Sequence, residues 1–155
     1  MIDYALALMA IALFAATRGR DSFVVACAFV AVLSVFELFE FSQAQHDLAG
    51  VHCFALMASI WLAASVYTQG KRLSYGLVSM ALFVGACGVV DAFMPLGSVS
   101  ASILFQLYPY AMIATQVIVL IMAGQNGSDP LYIGRCSLFK FNSDCGNSSE
   151  AFSDK

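Results

Sequence analysis

Apolar residues fall in five long blocks along the chain, each closed by a short polar connector. The blocks run from about Ile2 to Thr17, Ser22 to Phe41, Leu48 or Val51 to Tyr67, Leu73 to Phe93 and Ser100 to Ala123. Crossing a hydrocarbon core roughly 30 Å thick takes about 20 apolar residues at about 1.5 Å per residue. The four later blocks approach or meet that length. The first covers only about 24 Å as a helix, so it either crosses with little tilt or lies partly in the interface. The connectors Arg18 to Asp21, Ser42 to Asp47, Thr68 to Arg72 and Met94 to Val99 are short enough to force consecutive helices antiparallel. The predicted fold is all-α. It is a polytopic integral membrane helical bundle of five transmembrane helices over residues 1–123, with a polar, partly disordered tail over residues 124–155. A four-span bundle with a peripheral N-terminal helix is the alternative.

Composition supports lipid as the solvent. The chain is 61% hydrophobic and 11% charged, whereas a soluble domain carries about 25% charged residues. Roughly a third of an unfolded soluble chain's surface stays wet after folding, and this chain has too few polar residues to cover it.

Charge then orients the bundle. Arg18, Arg20, Lys71, Arg72, Arg135, Lys140 and Lys155 are all of its cations, and they lie in the first connector, the third connector and the tail. Cations are retained on the cytoplasmic face during insertion, so the pattern predicts the N-terminus outside and the tail inside. A signal peptide is not expected, because Arg18 and Arg20 follow the first apolar run instead of preceding it. The predicted location is a bacterial inner (cytoplasmic) membrane, or a host membrane if the chain is viral. A net charge of −3 with no basic patch excludes a nucleic-acid partner.

Cysteine usage adds little. Cys27, Cys53 and Cys87 lie inside apolar runs, where a thiol behaves as a small hydrophobe. Cys136 and Cys145 sit in a tail that the cytoplasm keeps reduced, so neither a disulfide nor a metal site is expected there. The glycosylation-like triplets Asn126-Gly127-Ser128 and Asn147-Ser148-Ser149 are chance matches on a cytoplasmic tail.

The candidate chemistry lies with groups that are expensive in lipid. An ionised side chain costs roughly 2.5 to 3.5 kcal/mol at a span centre on insertion scales. Glu37, Glu40, His52 and Asp91 all fall near the outer ends of their spans, in company with Asp3, His46 and Asp47. Glu37 and Glu40 are three apart and share a helical face. Two expectations follow. The four groups either ring the outer mouth in contact with water, or converge to hold a cation or share a proton. No particular metal is assigned, because E-x-x-E lacks the histidine pairing of zinc and di-iron sites. No cofactor is expected, and no nucleotide-, haem- or hydrolase-type motif occurs.

Small residues mark helix-packing faces. Ala81, Gly85, Gly88 and Ala92 line one side of the fourth span, and Ala55, Ser59 and Ala63 one side of the third. In the fifth span Pro109 removes a backbone donor and predicts a kink, while Gln106 and Gln116 demand partners. Tyr4, Tyr67, Tyr75 and Tyr108 suit interface anchoring where they lie near span ends, whereas Trp61 is too deep and packs. The expected function is that of a non-enzymatic small membrane protein working through helix–helix association, as an accessory, pore-type or lysis-like component. Its partners would be the lipid bilayer and either a second copy or another membrane protein. The alternative is a small channel or transporter handling a cation or proton at the outer acidic cluster.

Overall fold

A computed structural model describes residues 1–40, 48–93, 99–126, 132–133 and 136–137, with backbone only at 39–40, 48–49, 91–92, 99–105, 132–133 and 136–137. Five helices follow one another: α1 (Ile2–Thr17), α2 (Arg20–Glu40), α3 (Leu48–Tyr67), α4 (Lys71–Phe93) and α5 (Val99–Gln125). A two-residue antiparallel pair, β1 (Tyr132–Ile133) and β2 (Cys136–Ser137), lies in the tail, where no regular structure was expected. Four helices are long and apolar enough to cross a membrane, over Arg20–Leu38, Gly50–Tyr67, Lys71–Val90 and Gln106–Gln125. The protein is therefore a membrane protein with a helical bundle. α1 is the shorter apolar helix.

Each helix packs on its neighbours in sequence, and α1 also meets α5, so the five form a closed ring. The antiparallel α3–α4 pair is the most extensively packed. Trp61, Met57, Leu73, Leu77, Met80, Val25, Val84 and Val119 are fully buried. Trp61 meets Phe29 edge-on, with ring centroids 5.2 Å apart, which is the favoured geometry for aromatic pairs. The outside is as apolar as the inside: Leu38, Val66, Leu82 and Val89 are all exposed. Hydroxyls on the helices bond back to their own backbone, Ser34 to the Val30 carbonyl, Ser59 to that of Ala55 and Thr115 to that of Ala111. This satisfies them where no water is at hand.

The basic end of the bundle carries the two connectors that the structure describes. α1 stops at Arg18, which takes the left-handed conformation (φ 51°, ψ 24°) and donates its N–H to the Phe14 carbonyl at 2.7 Å. That cap ends a helix within one residue and lets α2 begin at Arg20. Between α3 and α4 only Thr68, Gln69 and Gly70 intervene. Thr68 and Ser74 both donate hydroxyls to the Ser65 carbonyl, at 3.0 and 3.1 Å, which covers an end group of α3.

Asp21 is the centre of that end. It is 1% exposed, although it is an acid among cations. Its carboxylate accepts the N–H of Gln69 at 2.8 Å and of Gly70 at 2.9 Å, and Asn126 Nδ2 approaches it at 3.5 Å. Both donors precede α4, so the carboxylate from α2 fixes the turn that leads into that helix. It also sits at the positive end of the α4 dipole. A Cβ on Gly70 would overlap the Asn126 amide and stand 2.8 Å from Asp21 Oδ2, so any larger residue there must push the Asn126 and Asp21 side chains aside. One side chain thus ties together α2, the α3–α4 turn and the end of α5.

Candidate functional site

α1 sets up the site by being too short. By helical rise its 16 residues cover about 24 Å, against about 32 Å for the 21 residues of α2 and about 40 Å for the 27 of α5. All three start or stop together at the basic end, so α1 ends below its neighbours at the opposite, acidic end. The space left there is a cavity of about 400 Å³ between the start of α1, Phe36 of α2 and one face of α5. Its walls are mainly apolar, from Ile2, Phe36, Met112 and Ile113. Its polar side chains are Asp3, Tyr108 and Gln116, and Met1, which bears the N-terminal amino group, also lines it.

Two of those polar groups are unpaired. Gln116 is 4% exposed, and its buried Oε1 has no hydrogen-bond partner among the described residues. The Tyr108 hydroxyl is in the same condition. A buried polar atom without a partner costs roughly 1–3 kcal/mol, and native interiors contain few of them. Trp61 Nε1 is also unpaired, but Trp61 does not line the cavity. Pro109 lines it, one residue from Tyr108 and one α5 turn beyond Met112. It removes the donor that would reach the carbonyl of residue 105, although α5 continues through it.

The sequence-predicted groups are placed as follows. Glu37 is exposed and accepts the hydroxyl of Tyr4, so it faces α1 and the rim of the cavity. His52 is exposed on α3. The side chains of Glu40 and Asp91, and all of His46 and Asp47, lie outside the described residues. Among the described residues, no three of His, Cys, Asp and Glu stand together as a metal site would need. Asp3 supplies the acidic group of the cavity.

Tyr108 corrects an expectation. It is not an interface anchor: its ring is wedged edge-on against Phe54 (5.3 Å) and stacked on Phe83 (6.0 Å), between α3 and α4. The small residues divide in two. Gly88 is spent inside the chain, since a Cβ there would meet Phe54 Cβ at 2.8 Å, and Ala81 is buried. Gly85 meets nothing within 4 Å, and Ala55, Ser59 and Ala63 face outward, away from the α3–α4 seam. The side chain of Ala92 lies outside the described residues.

Sequence reasoning identified Gln116 as a residue in need of a partner, but did not connect it to Asp3. The available signal was length: a first apolar helix about one to three turns shorter than the rest leaves a gap at the end where its own acid lies. No protein-family model, curated protein or solved structure matches the chain.

Proposed function

We propose that the protein is a non-enzymatic integral membrane protein of five spans that takes a small organic ammonium ion into the cavity at its acidic end, for binding or passage. The carrying observation is the pair of unpartnered acceptors, Gln116 Oε1 and the Tyr108 hydroxyl, in a cavity whose one charged side chain is Asp3. An ammonium group offers hydrogen-bond donors and no acceptor, and the apolar walls suit an organic body. A bare inorganic cation suits the lining less well, because hard cations take six or more oxygen ligands. The cavity volume lies within the range usual for small-molecule sites, about 300–1,000 Å³.

The seven cations favour an orientation with the N-terminus, and hence the cavity mouth, outside and the tail in the cytoplasm. The same rule favours the cytoplasmic membrane of a bacterium. Working through helix association is the second reading. It is favoured by the open position at Gly85, which exposed Leu82 and Val89 flank on α4, because small residues allow close helix approach. Its measurement is the oligomeric state in nanodiscs with and without Gly85→Leu.

The test of the first reading uses the full chain in phosphatidylcholine–phosphatidylglycerol vesicles, with benzylammonium as the probe. Saturable binding or uptake is expected, together with loss in Asp3→Asn and in Gln116→Leu and indifference to tetramethylammonium, which has no N–H. Absence of saturable benzylammonium binding, or binding untouched by both substitutions, would overturn the reading.

A further inference from the structure

A second concavity lies on the outer surface of the bundle, between α2 and α3, and has no part in the cavity just described. It holds about 460 Å³, and its lining is mainly apolar, with Ala28, Ala31, Ala63 and Ala64 on its floor and walls and Phe23 near its basic end. Ala28 and Ala64 are buried while Ala63 is exposed, so the small side chains make an open trough between two helices. Arg20 and Tyr67 line its basic end. Among the described residues Arg20 forms no ion pair, since the carboxylate of adjacent Asp21 is committed to the α3–α4 turn.

Length identifies the occupant. From Arg20 to Ala31 the trough follows α2 for about 16 Å, and half of a roughly 30 Å hydrocarbon core is about 15 Å. The trough therefore begins where headgroups begin and ends near the bilayer midplane. A partner helix would need a face continuing across the whole bilayer, whereas an acyl chain of one leaflet needs only this depth. At the headgroup level a guanidinium matches a phosphate diester, and a tyrosine sits well at the same level.

We infer that the α2–α3 trough is a binding site for an anionic glycerophospholipid of the leaflet at the basic end, with an acyl chain over Ala28, Ala31 and Ala63 and the phosphate on Arg20. Lys71 and Arg72 at the same end add to the local attraction for anionic lipid without lining the trough.

The test is native mass spectrometry of the full chain released from vesicles of phosphatidylcholine and phosphatidylglycerol in equal parts. Retention of one phosphatidylglycerol in preference to phosphatidylcholine is expected. Arg20→Gln lowers that retention about fivefold, the effect of one cation near a lipid surface, while Lys71→Gln lowers it less. Ala63→Phe fills the trough from an exposed position and removes the bound lipid with the arginine intact, and Cys27→Phe, another exposed lining position, does the same independently. Helix content and thermal unfolding of each variant establish that it is folded. Equal retention of the two lipids, or retention indifferent to both Phe variants, overturns the proposal. So does a change of oligomeric state in the Phe variants, which would show that a partner helix occupies the trough.

Discussion

The two ends of this bundle solve opposite problems with similar chemistry. At the basic end an acid is buried among backbone donors, and every oxygen of its carboxylate is used. At the acidic end Asp3 lines a cavity beside two polar atoms that lack partners. The first arrangement holds helices together, and the second leaves a carboxylate and two polar atoms around an open cavity. Placing a carboxylate in a membrane protein therefore says little until its donors are counted. The same side chain is a clamp where backbone N–H groups converge on it and part of a cavity wall where they do not.

The sharpest way to break the contrast is to remove the clamp. Asp21→Ala leaves two N–H groups unpaired and deletes two charge-assisted hydrogen bonds, and is expected to cost about 3 kcal/mol, read as a lowered midpoint of unfolding in mixed detergent micelles. Gly70→Ala acts on the same clamp through steric overlap and moves the midpoint the same way. Asp3→Asn at the other end leaves it nearly unchanged, and a loss as large as that of Asp21→Ala would erase the distinction between the ends.

Overpacking the α3–α4 seam comes next. Gly88→Val forces Phe54 aside and is expected to cost about 1–3 kcal/mol, by the same unfolding measurement. Gln116→Leu works in the other direction. It replaces an unpaired acceptor by carbon and is expected to leave stability unchanged or raise it by about 1 kcal/mol, while benzylammonium binding is lost. Destabilisation by Gln116→Leu would mean that the amide has a structural partner. The smallest effect belongs to Gly85→Ala, within about 0.5 kcal/mol of the parent, because the added methyl meets nothing within 4 Å among the described residues.

The helices were legible from hydropathy because a span must satisfy its own backbone in lipid, so block length and helix length coincide. α1 and α3 occupy the blocks read for them, and α2, α4 and α5 extend one or two residues further into the connectors. Arg20 and Lys71 belong to helices despite their charge, since helix N-termini extend to the headgroups. Trp61 is in the core, as its depth implied. What could not be read was azimuth. Hydropathy gives a residue's height but not the direction it faces, and in a chain apolar both inside and out the usual amphipathic cue is missing. Tyr108 therefore read as an interface anchor, and Gly85 and Gly88 read as one stripe although only Gly88 meets a neighbour. Asp21 was passed over as part of a connector. Its signal was its oddity: it is the only acid in the two cationic connectors.

The reach of the Asp21 clamp has a consequence for biogenesis. Its acceptor emerges early in synthesis, but its donors lie 48 and 49 residues later, and the Asn126 amide 105 residues later. Chains grow from the N-terminus, and early segments are inserted before later ones exist. A nascent chain that has released only α1 and α2 thus carries a carboxylate whose backbone donors do not yet exist. A chain that ended before Gln69 would lack both backbone donors, so the clamp closes only once α3 and the turn after it have been made.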